Sequence, residues 1–258
     1  MTRWLTFGLC LVAAALPAFG WAQDLPLNIN VGSDVLSSQR VFQLVALITV
    51  LSLAPSILMM VTSFTRIVVV FSFLRNAIGL QSSPPNGVMV GLALFLTAFI
   101  MAPTFQAAYQ QGVQPYLNNQ IDETQAYART TQPFARFMVA NVRSEDLELF
   151  LSLMPADQRA AVVLPGPNVS GAQMRIPLQA LVPAFMISEL RRAFEIGFLL
   201  FLPFLVIDLA IASILTSMGM ITLPPATIAL PFKLIFFVLI DGWHLLVGTL
   251  VQSFNPPL

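Results

Sequence analysis

The sequence predicts an all-α integral membrane protein. Two long, kinked helical hairpins give four hydropathy spans, a small polar helical insert separates them, and a signal peptide precedes them. Three observations predict this. First, 57% of the 258 residues are hydrophobic and only 9% are charged, against about 25% charged in an ordinary soluble domain; the mean hydropathy is +0.82. Twelve acids and twelve bases cannot cover a water-soluble globule of this length. Second, no charge occurs from Val41 to Thr65 or from Asn76 to Ile121. Third, both hairpins turn at a Pro-Pro pair, Pro84-Pro85 and Pro224-Pro225, and proline cannot continue a helix.

The elements follow in order. Arg3 precedes an apolar run from Trp4 to Leu16, and Gly20-Trp21-Ala22 places small residues where a signal peptidase reads. Cleavage is expected after Ala22. The run of about 13 apolar residues is short for a span, which needs about 20. Residues 1–22 are therefore read as a signal peptide, with an uncleaved first transmembrane helix as the alternative; the expected mature N-terminus faces the periplasm, and the expected source is a bacterium. Residues 23–40 form a largely polar arm. The first hairpin occupies 41–111, its arms at roughly 41–81 and 87–111 and its turn at Ser82-Ser83-Pro84-Pro85-Asn86.

Residues 112–182 hold Asp122, Glu123, Arg129, Arg136, Arg143, Glu145 and other charges, and read as a water-facing periplasmic insert. Within it Ser144 is expected to cap a helix whose first turn carries Glu145 and Asp146. Leu147, Phe150, Leu151 and Met154 follow at i, i+3, i+4 and i+7, and Pro155 ends the helix. The second hairpin, 183–258, runs from Pro183 to Met220, turns at Leu223-Pro224-Pro225, and returns from Thr227 to Phe254.

A helix over 183–220 would reach about 57 Å, although the hydrocarbon core is about 30 Å thick. The surplus carries Arg66 and Arg75 in the first hairpin and Glu189, Arg191, Arg192 and Glu195 in the second. Pro55, Pro103, Pro183 and Pro203 interrupt apolar stretches and are expected to kink or break them. Such helices need protein neighbours.

Asp208 and Lys233 are each isolated in apolar surroundings, and each lies about twelve residues from the turn midpoint. Antiparallel arms bring them to one level, so an ion pair is predicted; separate snorkelling is the alternative. Glu189–Arg192, Arg192–Glu195 and Arg191–Glu195 have helical contact spacing. Spacing does not decide between a solvated helix face and an intersubunit polar contact. Met218-Gly219-Met220 lies at the second turn: a ring of flexible thioethers closes a pore and deforms around cargo, whereas ordinary turn packing is the plainer reading.

The composition excludes several chemistries. No basic run marks a nucleic-acid surface. One cysteine, Cys10, and one histidine, His244, leave no Cys- or His-based metal centre. No nucleophile elbow, HExxH or P-loop occurs, so no enzyme activity and no cofactor are expected.

Four segments resemble the FliP family, the flagellar branch of the FliP/SctR type III export-gate proteins. They are LAPSILMMVTSFTRIVVVFSFLRNAIGLQSSPPN from Leu53 to Asn86, PAFMISELRRAFEIGFLLFLPFLVIDL from Pro183 to Leu209, SMGMITLPP from Ser217 to Pro225, and PFKLIFFVLIDGW from Pro231 to Trp243. The resemblance implies a core subunit of the gate through which unfolded flagellar subunits leave the cytoplasm. It implies a pentamer-based homo-oligomer with FliQ-like and FliR-like subunits, a FliO-like assembly factor, and FlhB- and FlhA-like export components. It also implies residence in the inner membrane within the basal body, with much of the assembly toward the periplasm. The family's methionine gasket falls at Met218, Gly219, Met220 and Ile221, where Ile221 and Thr222 depart from a fuller methionine run. Asp208 and Lys233 are similar to the family's charged pair. An apolar constriction of this kind gates passively by excluding water.

Overall fold

The computed structural model describes residues 44–45, 48–49, 52–53, 56–57, 59–80, 83–160, 162, 176–220 and 222–254. The signal peptide with Ala22, the 23–40 arm and Ile221 lie outside the described residues. The chain divides into two units, Met1–Ser52 and Leu53–Leu258, a boundary that falls inside the stretch 41–81. In the first unit the described positions are helical, and the Thr49 hydroxyl donates to the Val45 carbonyl at 2.7 Å. All else described here belongs to the second unit, whose regular structure is helical among the described residues.

Helix α1 is Phe64–Ile78. It ends where Gly79 adopts φ +90°: the Gly79 N–H donates to the carbonyl of Asn76 and the Leu80 N–H to that of Arg75. This is the Schellman closure, which favours glycine because a Cβ crowds the left-handed conformation. Helix α2, Asn86–Ala108, does not stop near 111. It widens into a π-turn at Tyr109–Val113 and continues as α3, Gln114–Leu117. Pro115 lacks an N–H, and the wider turn shifts the hydrogen-bond ladder around it.

The insert comprises α4 (Glu123–Asn141), α5 (Ser144–Ser152) and α6 (Ala156–Ala160). Asp122 caps α4, its carboxylate accepting the Gln125 N–H at 2.8 Å. Leu147 and Leu151 of α5 are buried as their spacing predicts. Ser144 is the first helical residue and not the cap; Arg143 holds that position, with no side-chain cap bond. Met138, Leu147 and Leu151 pack on Leu181, Ala184 and Phe185, the first turns of the next helix.

Helix α7 is Leu178–Ser217, 40 residues without interruption, or about 60 Å. It begins five residues before Pro183, because Pro177 rather than Pro183 marks the start. Pro183 deprives only a first-turn carbonyl of its donor, and complete burial of Leu181, Ala184 and Phe185 holds that turn. Pro203 also lies inside the helix, beside buried Phe204, so neither proline breaks it. The return arm does break. Helix α8 (Pro225–Leu239) and α9 (Gly242–Gln252) meet at 62°. Asp241 sits there at φ +51°, a conformation that aspartate visits more readily than most residues. A Cβ on Gly242 would lie 2.2 Å from the Phe237 ring, so only glycine lets the two helices approach this closely.

Helix α1 lies at the centre. Its Ile67, Val70, Phe71 and Leu74 are buried against Ala93 of α2, Phe204 of α7, Phe237 of α8, and Leu246 and Leu250 of α9. Among the described residues two helical stretches, 86–117 and 178–217, are long and apolar enough to cross a membrane, and the bent pair α8–α9 makes a third if counted as one. The helix described in the first arm, α1, has 15 residues, and much of the rest of that arm lies outside the described residues.

Candidate functional site

The tip of the second hairpin is shaped by its last helical turn. The Gly219 N–H donates to the Thr216 carbonyl at 3.0 Å and the Met220 N–H to the Leu215 carbonyl at 2.9 Å, with Gly219 at φ +74°. This second Schellman closure leaves Met218 and Met220 63% and 41% exposed. Two large thioether side chains therefore stand exposed at a hairpin tip. Ser213, Thr216 and Ser217, on the turns below, give their hydroxyls to the carbonyls four residues back, at 2.8–2.9 Å. The tip thus offers apolar, deformable surface and few free donors.

One helical stretch below the tip, Lys233 Nζ lies 2.6 Å from Asp208 Oδ2. The ammonium also donates to the Ala77 carbonyl at 3.0 Å. The pair thus joins three helices, α7, α8 and the end of α1. Lys233 is almost fully buried, whereas the Asp208 side chain keeps 31% exposure.

The other charged cluster separates into two environments. Glu189 points inward and is completely buried, as is Arg66 of α1. Arg66 Nε donates to Oε2 of Glu189 at 2.7 Å and Nη2 to Oε1 at 2.5 Å. Its Nη1 reaches the Ser253 carbonyl at 3.1 Å and the Ser253 hydroxyl at 2.9 Å. The guanidinium carbon stands 3.6 Å over the Phe254 ring. A bidentate Arg–carboxylate fork with further acceptors and an aromatic face is the arrangement in which burying two charges is tolerated. Glu189 gives both oxygens to Arg66 and none to Arg192, so the expected i,i+3 contact is replaced by a tertiary one. Arg192 does not reach Glu195 either. Arg191 Nε lies 3.2 Å from Glu195 Oε1 at the expected i,i+4 spacing, and both side chains are more than half exposed. Glu145 lies 2.7 Å from Arg143 and 4.0 Å from Arg191. Arg191, Glu145 and Arg143 form an outer ladder from α7 to the insert.

Arg66, Ser188 and Ser253 are the residues that sequence reasoning did not single out for this role. The buried Ser188 hydroxyl accepts the Arg143 N–H at 3.0 Å and lies 2.7 Å from Asp146 Oδ2 and 2.8 Å from the Ala184 carbonyl. It fastens α5 to α7 one residue from Glu189. Among the described residues no three His, Cys, Asp or Glu side chains gather as a metal site would require.

Comparison with known proteins places these features in a lineage. A model described as the FliP family matches residues 47–250. The chain is 54% identical over 245 residues to the flagellar biosynthetic protein FliP of Caulobacter vibrioides, covering 95% of this chain and 88% of that one. It is 49% identical over 255 residues to the FliP of Rhizobium meliloti, covering 98% and 100%. The FliP of Bacillus subtilis is 46% identical over 228 residues, covering 88% and 98%.

Proposed function

The chain belongs to the FliP family, and from that membership we propose that it is a core subunit of the flagellar type III export gate. In this reading several copies converge on an axis, and Met218, Gly219, Met220 and Ile221 of each contribute to an apolar gasket. Unfolded flagellar subunits pass through it. The single observation that supports this best is the Schellman-closed tip, which holds two exposed methionines at the end of a 40-residue helix. Thioethers exclude hydrated ions when closed together and yield to varied side chains when pushed apart. The chain performs no chemistry of its own.

The reading includes a four-span protein of the bacterial inner membrane, with a cleaved signal peptide at 1–22, an arm at 23–40, hairpins at 41–111 and 183–258, and the 112–182 insert on the periplasmic side. FliQ-like and FliR-like subunits complete the assembly, FliO-like, FlhB-like and FlhA-like proteins serve it, and sister copies form a pentamer. Exposed apolar side chains on α2, α7 and α8, such as Phe95, Leu199 and Leu239, are the surfaces that such neighbours and lipid cover. Asp208 and Lys233 hold the hairpin in register, and the outer polar residues Arg191, Arg192 and Glu195 lie where a neighbouring subunit can be met.

The test is replacement of Met218 and Met220 together by alanine in the native apparatus. A gate reading expects normal assembly with ion leak across the inner membrane. Intact secretion without leak leaves the protein a scaffold whose methionines merely pack, and refutes the gasket.

A further inference from the structure

At the turn of the first hairpin, α1, α2, α8 and α9 enclose an open groove of about 250 Å³. Leu74, Ile78, Met89 and Phe237 give it an apolar wall, while Arg75, Ser83 and Trp243 also line it. Its place along the chain is informative. Met89 lies three residues into the apolar stretch 86–117, about 4.5 Å from its end. With α2 read as a span, the groove lies toward the headgroup end of that helix, the level at which Trp and Arg anchor proteins to bilayers.

The charge there is uncompensated. Among the described residues Arg75 has one hydrogen-bond partner, the neutral Asn86 side chain, and no ion pair. The Trp243 ring meets Phe71 and Phe237 edge-on, but its indole N–H has no acceptor among the described residues, and the exposed Ser83 hydroxyl has none either. No carboxylate lines the groove; Asp241, two residues from Trp243, is not part of its wall. Nearby Lys233 is already matched by Asp208.

An apolar slot whose mouth carries one cation and two spare donors is complementary to an amphiphile with an anionic head and a hydrocarbon tail. We propose that this groove binds an anionic phospholipid of the surrounding membrane, its phosphate held by Arg75 with Trp243 and Ser83, and an acyl chain lying against Leu80, Leu234 and Val238. The site is independent of the gasket.

The full-length protein in detergent is analysed by native mass spectrometry with phosphatidylglycerol, phosphatidylcholine or inorganic phosphate added. Phosphatidylglycerol should be retained about fivefold over phosphatidylcholine, the preference one basic residue supplies near a lipid surface. Arg75→Gln should abolish that preference, Arg75→Lys should keep most of it, and Trp243→Phe should reduce it. Equal retention of the two lipids overturns the proposal. So does a preference that survives Arg75→Gln, or equal stabilisation by phosphate alone. A second measurement does not depend on how Arg75→Gln folds. With residues 1–22 cleaved, Trp243 is the one tryptophan left in the sequence, and its fluorescence should be quenched more strongly by acyl-brominated phosphatidylglycerol than by its phosphatidylcholine counterpart. Equal quenching overturns the proposal, as does a Val238 photocrosslink to another protein chain in preparations that retain no lipid.

Discussion

Removing one side of the buried Arg66–Glu189 pair should be among the most damaging single changes in the protein. In Glu189→Ala the guanidinium stays at zero exposure but loses the acceptors of Nε and Nη2, keeping only Ser253 and the Phe254 face. Stranding a buried charge in this way costs about 3–5 kcal/mol. Arg66→Met strands the carboxylate instead, and also removes two bonds to Ser253 and the ring contact, so it should cost at least as much. The double change Arg66→Met with Glu189→Met leaves no charge to strand. Its remaining loss is the Ser253 carbonyl left without a donor, about 1–3 kcal/mol. The two single effects should therefore exceed the double effect by several kcal/mol, an interaction read directly from a double-mutant cycle. Denaturant titration of helix content, with the full chain in mixed micelles, measures all four corners. Arg191→Ala is the control: its i,i+4 partner Glu195 is exposed, and such a pair contributes about 0.3–0.5 kcal/mol. A Glu189→Ala cost below about 1 kcal/mol, or additive single effects, would refute the reasoning.

Four further outcomes are expected. Gly242→Ala places a methyl 2.2 Å from the Phe237 ring and should destabilise by about 1–3 kcal/mol, with partial rescue by Phe237→Leu in the same titration. Gly219→Ala should cost about 1–2 kcal/mol at its left-handed position, with Gly219→Asn milder, and the loss should appear as reduced yield of assembled complex. Asp208→Ala strands a buried ammonium, whereas Lys233→Ala leaves a carboxylate with some access to solvent; the first should impair assembly more than the second, and the double change less than their sum. Ser188→Ala removes the acceptor of the Arg143 N–H, at a cost of about 1–2 kcal/mol. Hydrogen exchange at that amide should accelerate while the α1 amides keep their protection.

Much of this architecture is legible because local rules govern it. The α5 pattern is periodic, so Leu147 and Leu151 announce their burial. Gly219 stands after an apolar helix and before two prolines, and it ends the helix as such a glycine should. Asp208 and Lys233 stand out as isolated charges at equal distances from a turn. The same isolation marks Arg66, which is the only charge from Val41 through Leu74.

What hides the partner of Arg66 is distance along the chain. Glu189 is 123 residues away, while Arg191, Arg192 and Glu195 offer it nearer company on its own helix. Side-chain direction, which only packing sets, turns Glu189 inward and leaves Arg191 and Glu195 outside. The start of α7 is misread for a similar reason. Pro183 looks like a boundary, yet the burial of Leu181 and Phe185 carries the helix through it. The 62° bend is visible only as a polar interruption at Asp241-Gly242, because the contact that demands it is the Phe237 ring.

The two ionic fastenings on α7, at Glu189 and Asp208, are 19 residues apart along the helix, about 28 Å. Both tie it to α1, the first directly and the second through Lys233. Beyond Asp208 a further nine residues, about 14 Å, run out to Ser217, and of these only Leu215 is buried. Mechanically this is a cantilever: a beam clamped at two points with a free overhang that carries the methionines. Sideways load at its end produces deflection in the overhang and leaves the clamped length still. For a gate of the kind proposed, this arrangement would concentrate compliance at the tip and let the rest of the chain keep its shape.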